Sequence, residues 1–137
     1  MCLCVYIGTD QNLEVGKFIE NETLLYLEKP TEDELIGLQN KFSKKNIYYV
    51  GSETNCSCGF MYEKDEDLDD EDYSTASPKK IIEFLKKISK NENIEFYSCL
   101  EGDWNLPIES NIELNINNIS LENYFGPNQL QFITFKN

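Results

Sequence analysis

Two pairs of cysteines, each separated by a single residue, carry the densest chemistry in the chain: Cys2-x-Cys4 at one end and Cys56-x-Cys58 in the stretch Ile47–Phe60. Thiolates are the nucleophiles and soft metal ligands of proteins. On a strand, residues i and i+2 project to one face, so each pair would present its sulfurs together. If the first strand pairs with the later stretch, up to four thiols could converge, the donor set of a structural zinc site. Against that, a flat strand leaves such sulfurs roughly 6.5–7 Å apart, whereas zinc ligands usually sit on a wrapped C-x2-C turn. The thiol-redox alternative would use Cys56 or Cys58 as nucleophile with the other resolving it, and Cys99 as a third member. The chain has no histidine, so a Cys–His dyad is excluded. In the plainest reading all five cysteines are small buried apolar residues.

The elements that must position these groups read as follows. Leu3–Ile7 is short and continuously apolar, a strand buried on both faces and therefore central. Val15–Ile19 is a weak strand candidate and Leu24–Leu27 a second strand closed by Pro30. Thr31-Glu-Asp-Glu34 is a capping box opening a helix whose buried face holds Leu35, Ile36, Leu38 and Phe42. Gly37 inside it costs about 1 kcal/mol against Ala, so that helix depends on packing. Ile47–Phe60 predicts a strand, a turn and the start of another strand. Ser77-Pro78 predicts a second helix, with Ser77 as N-cap and Ile81, Ile82, Leu85 and Ile88 buried. Ile94–Leu100 alternates as a half-buried strand with Cys99 on its polar face; strands over Ile112–Ile116 and Leu130–Phe135 complete the chain.

Together these predict one α+β domain over residues 1–137, with five to seven strands in a mostly antiparallel sheet and both helices on one face. The central order also suits a ferredoxin-like core. Residues 63–76, rich in Asp and Glu, are expected to form a mobile acidic loop.

Tyr48-Tyr-Val-Gly-Ser52 followed by Cys56-Ser-Cys-Gly-Phe60, with Ile94-Glu-Phe-Tyr-Ser-Cys99 and Glu101-Gly-Asp103 later, resembles a family of small bacterial proteins with no assigned activity. Its pattern is a YY-x-GS…C-x-CGF hairpin followed by an E-hydrophobic-Y-x-C-x-x-GD strand. The resemblance covers roughly a third of the chain and implies a bacterial, cytosolic origin. The acidic insert after Tyr62 and a hairpin turn without histidine depart from the pattern.

Twenty-five acidic residues against twelve basic ones give a net charge of -13, which repels phosphate backbones and argues against nucleic-acid binding. The opening run Met1–Gly8 has no basic leader and is too short to span a membrane, so a cytoplasmic protein with reduced thiols is expected. No catalytic motif is present and no cofactor is implied. Asp65-x-Asp67-x-Asp69 invites a calcium reading, but an EF-hand loop needs Gly where Asp70 stands and Glu where Ala76 stands.

Two functional readings follow. The first is a non-catalytic domain, immunity-protein-like or antitoxin-like, that binds a basic protein partner. Asp65, Asp67, Asp69, Asp70 and Asp72 would steer the partner, and Ser52 and Trp104 would contact it. The second is a cysteine-dependent metal or redox protein using Cys2, Cys4, Cys56, Cys58 and Cys99.

Overall fold

A computed structural model of the chain describes residues 2–62 and 75–137; the acidic stretch holding Asp65, Asp67, Asp69, Asp70 and Asp72 lies outside them. Among the described residues six strands form one sheet: β1 Leu3–Thr9, β2 Leu25–Glu28, β3 Asn46–Ser52, β4 Ile94–Leu100, β5 Ser110–Asn115 and β6 Gln131–Lys136, in the order β2-β3-β1-β4-β6-β5. Neighbours are antiparallel except β5 and β6, which run parallel. Two helices, α1 Glu32–Leu38 and α2 Ala76–Ile88, complete an α+β fold. No described helix is long and apolar enough to cross a membrane.

β1 is central and buried at every position, as its unbroken apolar run requires. A strand buried on both sides needs cover on both sides. Accordingly α2 packs Ile81, Leu85 and Ile88 over Leu3, Val5 and Ile7, while α1 brings Leu38, and with it Phe42, against Cys4, Tyr6 and Tyr97 on the opposite face. The expectation of both helices on one face is thereby corrected. The second hairpin strand that the split βαβ order of a ferredoxin-like core would use does not form after the turn at residue 53.

Other differences have local causes. Val15–Ile19 forms no strand; Val15 and Ile19 are exposed, and Gly16 N–H makes a single bond to Leu27 O at the sheet edge. Ser77 does not cap α2, whose N-cap is Thr75 with no side-chain bond. Its hydroxyl instead donates to Leu24 O at 2.7 Å and accepts from Glu53 N–H at 3.1 Å, tying the helix to two loops. β4, expected to be half-buried, is buried through Cys99 because α1 and α2 cover its two faces.

The capping box of α1 is formed as its sequence predicts. Gly37 explains its cost: a Cβ there would lie 2.5 Å from the backbone of Trp104, so only glycine lets the turn after β4 seat on α1. Lys41 Nζ fastens this contact by donating to Gly37 O and Trp104 O, each at 2.9 Å.

Two carboxylates secure the far end of the sheet. Glu95, nearly buried, accepts from the N–H groups of Ser43 and Lys44 and from the Ser43 hydroxyl. Glu92 accepts from Thr9 Oγ1, Asp10 N–H and Gln11 Nε2 and pairs with Lys44 at 3.5 Å. Burial opposes ionisation of Glu92, but these donors outweigh it and hold its carboxyl below the usual range. A carboxylate depressed in the fold contributes stability above its unfolded pKa and loses it as pH falls through the folded value. Glu92→Gln should therefore lower stability at pH 7 by about 1–2 kcal/mol and flatten the acid limb of a stability–pH profile. An unchanged profile in denaturant melts from pH 7 to 3 would remove Glu92 from this role.

Candidate functional site

β1 pairs with β3 only from Val5 to Thr9, and β3 ends at Ser52. Beyond that point the chain turns through Glu53–Cys56 and coils into a 3-10 turn, Ser57–Phe60, that lies against the start of β1. The predicted second strand of the hairpin is this turn. Ser57, fully buried, accepts from Val5 N–H at 2.9 Å and donates to Val50 O at 2.6 Å, so its hydroxyl bridges two cross-strand partners. Leu3 N–H, two residues earlier and without a β3 partner, donates to Cys58 Sγ at 3.3 Å. Side chains of the turn thus serve two β1 donors that have no backbone partner on β3, as buried backbone groups require.

Ser52 braces the other side. It is buried, donates its hydroxyl to Cys56 O at 2.6 Å and accepts from Gly59 N–H at 3.0 Å. A Cβ on Gly59 would stand 2.3 Å from that oxygen, so the close approach needs glycine. Asn55 takes the left-handed conformation at φ 63, which Asn tolerates better than most residues. Phe60 plugs the turn into the α2-side core, and Tyr124 Oη donates to Phe60 O at 2.6 Å.

The result is a cluster absent from any flat hairpin: the sulfurs of Cys2, Cys56 and Cys58 all lie within 4.8 Å of one another, and they are the single such group of three ligand residues among the described residues. Three of the five cysteines converge. Cys4 and Cys99 do not join them; they are cross-strand partners buried on the α1 side, and burial raises Cys4 to about 11 and Cys99 to about 12. Cys99 is therefore no polar-face thiol, and the four-thiol convergence with Cys4 does not form. All five cysteines are free thiols.

Within the cluster the sulfurs differ. Cys56 stands at the N-cap of the 3-10 turn, where its sulfur meets Cys58 N–H at 3.4 Å and Thr54 Oγ1 at 3.3 Å. Burial raises its pKa, but the Thr54 hydroxyl, the Cys58 amide and the neighbouring thiols lower it more, so the balance is downward from the ordinary thiol value. Cys58 is raised, first by burial and then by its neighbours' sulfurs, although the Leu3 amide acts the other way. Donors aimed at sulfur are the surroundings a metal-bound thiolate uses to disperse its charge.

A cleft of about 350 Å³ opens beside the cluster, lined by Cys2 and Cys56 and also by Cys4, Tyr26, Tyr49, Glu34, Glu101 and Trp104. Tyr26 and Tyr49 meet edge-on at 6.3 Å between centroids. Cys58 does not line the cleft; it packs against the α2-side core. None of the aromatic or acidic lining except Trp104 was expected at the site, because β2, α1 and the turn after β4 are brought together only by the sheet order. Trp104 is half-buried with its backbone against Gly37, and Ser52 is spent inside the turn. The chain matches no protein-family model, and no curated protein or solved structure is significantly similar to it.

If the Ser57 hydroxyl holds the turn on β1, Ser57→Ala should cost about 1–3 kcal/mol and loosen the cluster. Denaturant melts together with native-state thiol titration of Cys56 and Cys58 check this; wild-type stability and reactivity would contradict it.

Proposed function

We propose that this protein is a cysteine-dependent metal-binding protein whose site is the three-thiol cluster Cys2, Cys56 and Cys58. The reading is carried by the mutual approach of the three sulfurs to within 4.8 Å. Thiolates around an ion at about 2.3 Å stand about 3.8–4.0 Å apart, so closure requires an inward movement of at most about 1 Å per pair, on the scale of a rotamer adjustment. Leu3 N–H on Cys58, with Cys58 N–H and Thr54 Oγ1 on Cys56, supports the charged sulfurs that a metal requires.

All three donors are soft, which selects thiophilic ions such as zinc or copper(I) over magnesium or calcium. A surface of net charge -13 concentrates cations near the site rather than repelling them. Binding releases the protons still held by the thiols, so affinity rises with pH. The ion would couple the first residues of the chain to the turn after β3, two segments otherwise joined by the hydrogen bonds around Ser57 and Cys58.

Titration of reduced protein with cobalt(II), and with zinc(II) against a chelating dye, tests the reading. One ion per chain with sulfur-to-cobalt charge-transfer absorption is expected. Cys56→Ser should weaken affinity by about 100-fold, whereas Cys99→Ala should leave it within about threefold. Absence of binding, or equal affinity in Cys56→Ser, would sink it.

A further inference from the structure

The cleft beside the cluster differs in character from a closed structural metal site. Two of the three thiols, Cys2 and Cys56, face it, while Cys58 closes the opposite side against the core. Among the described residues no further cysteine joins the three sulfurs, so a four-coordinate ion held there would need one more ligand, and the cleft that Cys2 and Cys56 line is the space beside it. Four-coordinate zinc sites with three protein ligands take their last ligand from solvent or substrate in this way. At about 350 Å³ the space lies at the small end of the range that small-molecule sites occupy.

Its walls state the charge of that molecule. Glu28, Glu34 and Glu101 line it against one ammonium, Lys29. Glu34 is occupied by Tyr6 Oη and by the Thr31 cap, which leaves Glu28 and Glu101, both exposed, at the rim. The aromatic residues Tyr26, Tyr49 and Trp104 add ring surface, and ring faces attract cations. A divalent ion on three thiolates is itself net negative. Every fixed charge on these walls but one therefore opposes an anion and favours a cation.

We infer that the cleft receives a small organic ammonium bearing a soft donor atom, a thiol or thioether. Its cationic end lies between Glu28, Glu101 and the rings of Tyr26 and Tyr49, and its sulfur completes the coordination of the ion on Cys2, Cys56 and Cys58. The coordination half rests on the three-thiolate reading; the ammonium half rests on the cleft alone.

The test separates the two. Cobalt(II)-loaded protein is titrated with cysteamine and with mercaptoacetate, which share a thiol and differ in charge, and the visible spectrum is followed. Cysteamine is expected to shift the spectrum at about tenfold lower concentration, and Glu28→Gln with Glu101→Gln should reduce that advantage to under about threefold. Equal or reversed preference overturns the inference. Metal-free protein is titrated in parallel with propylammonium and with propionate while the ring resonances of Tyr26 and Tyr49 are observed. Propylammonium must move them and propionate must not. Failure of cobalt to bind overturns the metal reading and the coordination half, and the ammonium titration then decides the cleft. Failure of propylammonium to move the rings overturns the ammonium half even if the metal binds.

Discussion

The arrangement of the thiols depends on one hydroxyl in a β-ladder. Ser57 Oγ stands between Val5 N–H and Val50 O, both fully buried with it. A buried hydroxyl that leaves neither partner unpaired is stabilising only while all three groups keep this geometry, because each would otherwise bear its own desolvation cost. The constraint docks the Ser57–Phe60 turn on β1, and Phe60 in the core and Ser52 beneath Cys56 secure it from either side. With the turn so held, Cys56 and Cys58 cannot lie flat as on a strand, and Cys2 at the mouth of β1 comes within reach of both.

The two faces of the sheet divide the labour. The α2 side is a continuous aliphatic and aromatic core, with Phe96, Phe125 and Phe135 in mutual edge contact at 5.1–5.7 Å. It supplies the rigid backing against which Cys58 and Phe60 rest. The α1 side is smaller and more polar, built from Cys4, Tyr6, Tyr97 and Cys99 beneath a helix of seven residues. There the cover is incomplete, and the uncovered part is the cleft beside the thiols. The hydroxyl of Tyr97 and the Trp104 indole N–H, both buried on this side, find no hydrogen-bond partner among the described residues.

The same asymmetry sorts the five cysteines by environment rather than by sequence. Cys4 and Cys99 lie in apolar surroundings that disfavour the thiolate and make them inert packing residues. Cys56, two residues from Cys58 in the chain, differs from it in ionisation because only Cys56 sits at the cap of the turn, where an amide and a hydroxyl point at its sulfur.

Much of the scaffold was legible from local pattern alone. The uninterrupted run Leu3–Ile7 announced a strand buried on both faces, Thr31 and Glu34 announced the capping box, and the spacing of Ile81, Leu85 and Ile88 announced the buried side of α2. These rest on interactions within a few residues, which a chain carries wherever it folds. The placement of α1 opposite α2 was a consequence of the same β1 run, since both of its faces needed cover. What local pattern could not contain was the choice of partner. The CxC stretch has the composition of a strand, and only tertiary competition for the Leu3 and Val5 amides coils it into a turn. Ser77 reads as a cap, yet Leu24 and Glu53 claim its hydroxyl. Sequence by itself determined the buried run of β1, the cap of α1, the buried side of α2 and which residues could act as soft donors, but not the burial of Cys99 or the exposure of Ile36. Tertiary structure alone decided which three of five thiols meet and what lines the cleft beside them, because those groups lie on and beside β1, β2, β3 and α1 and on two turns that become neighbours only when the sheet is assembled.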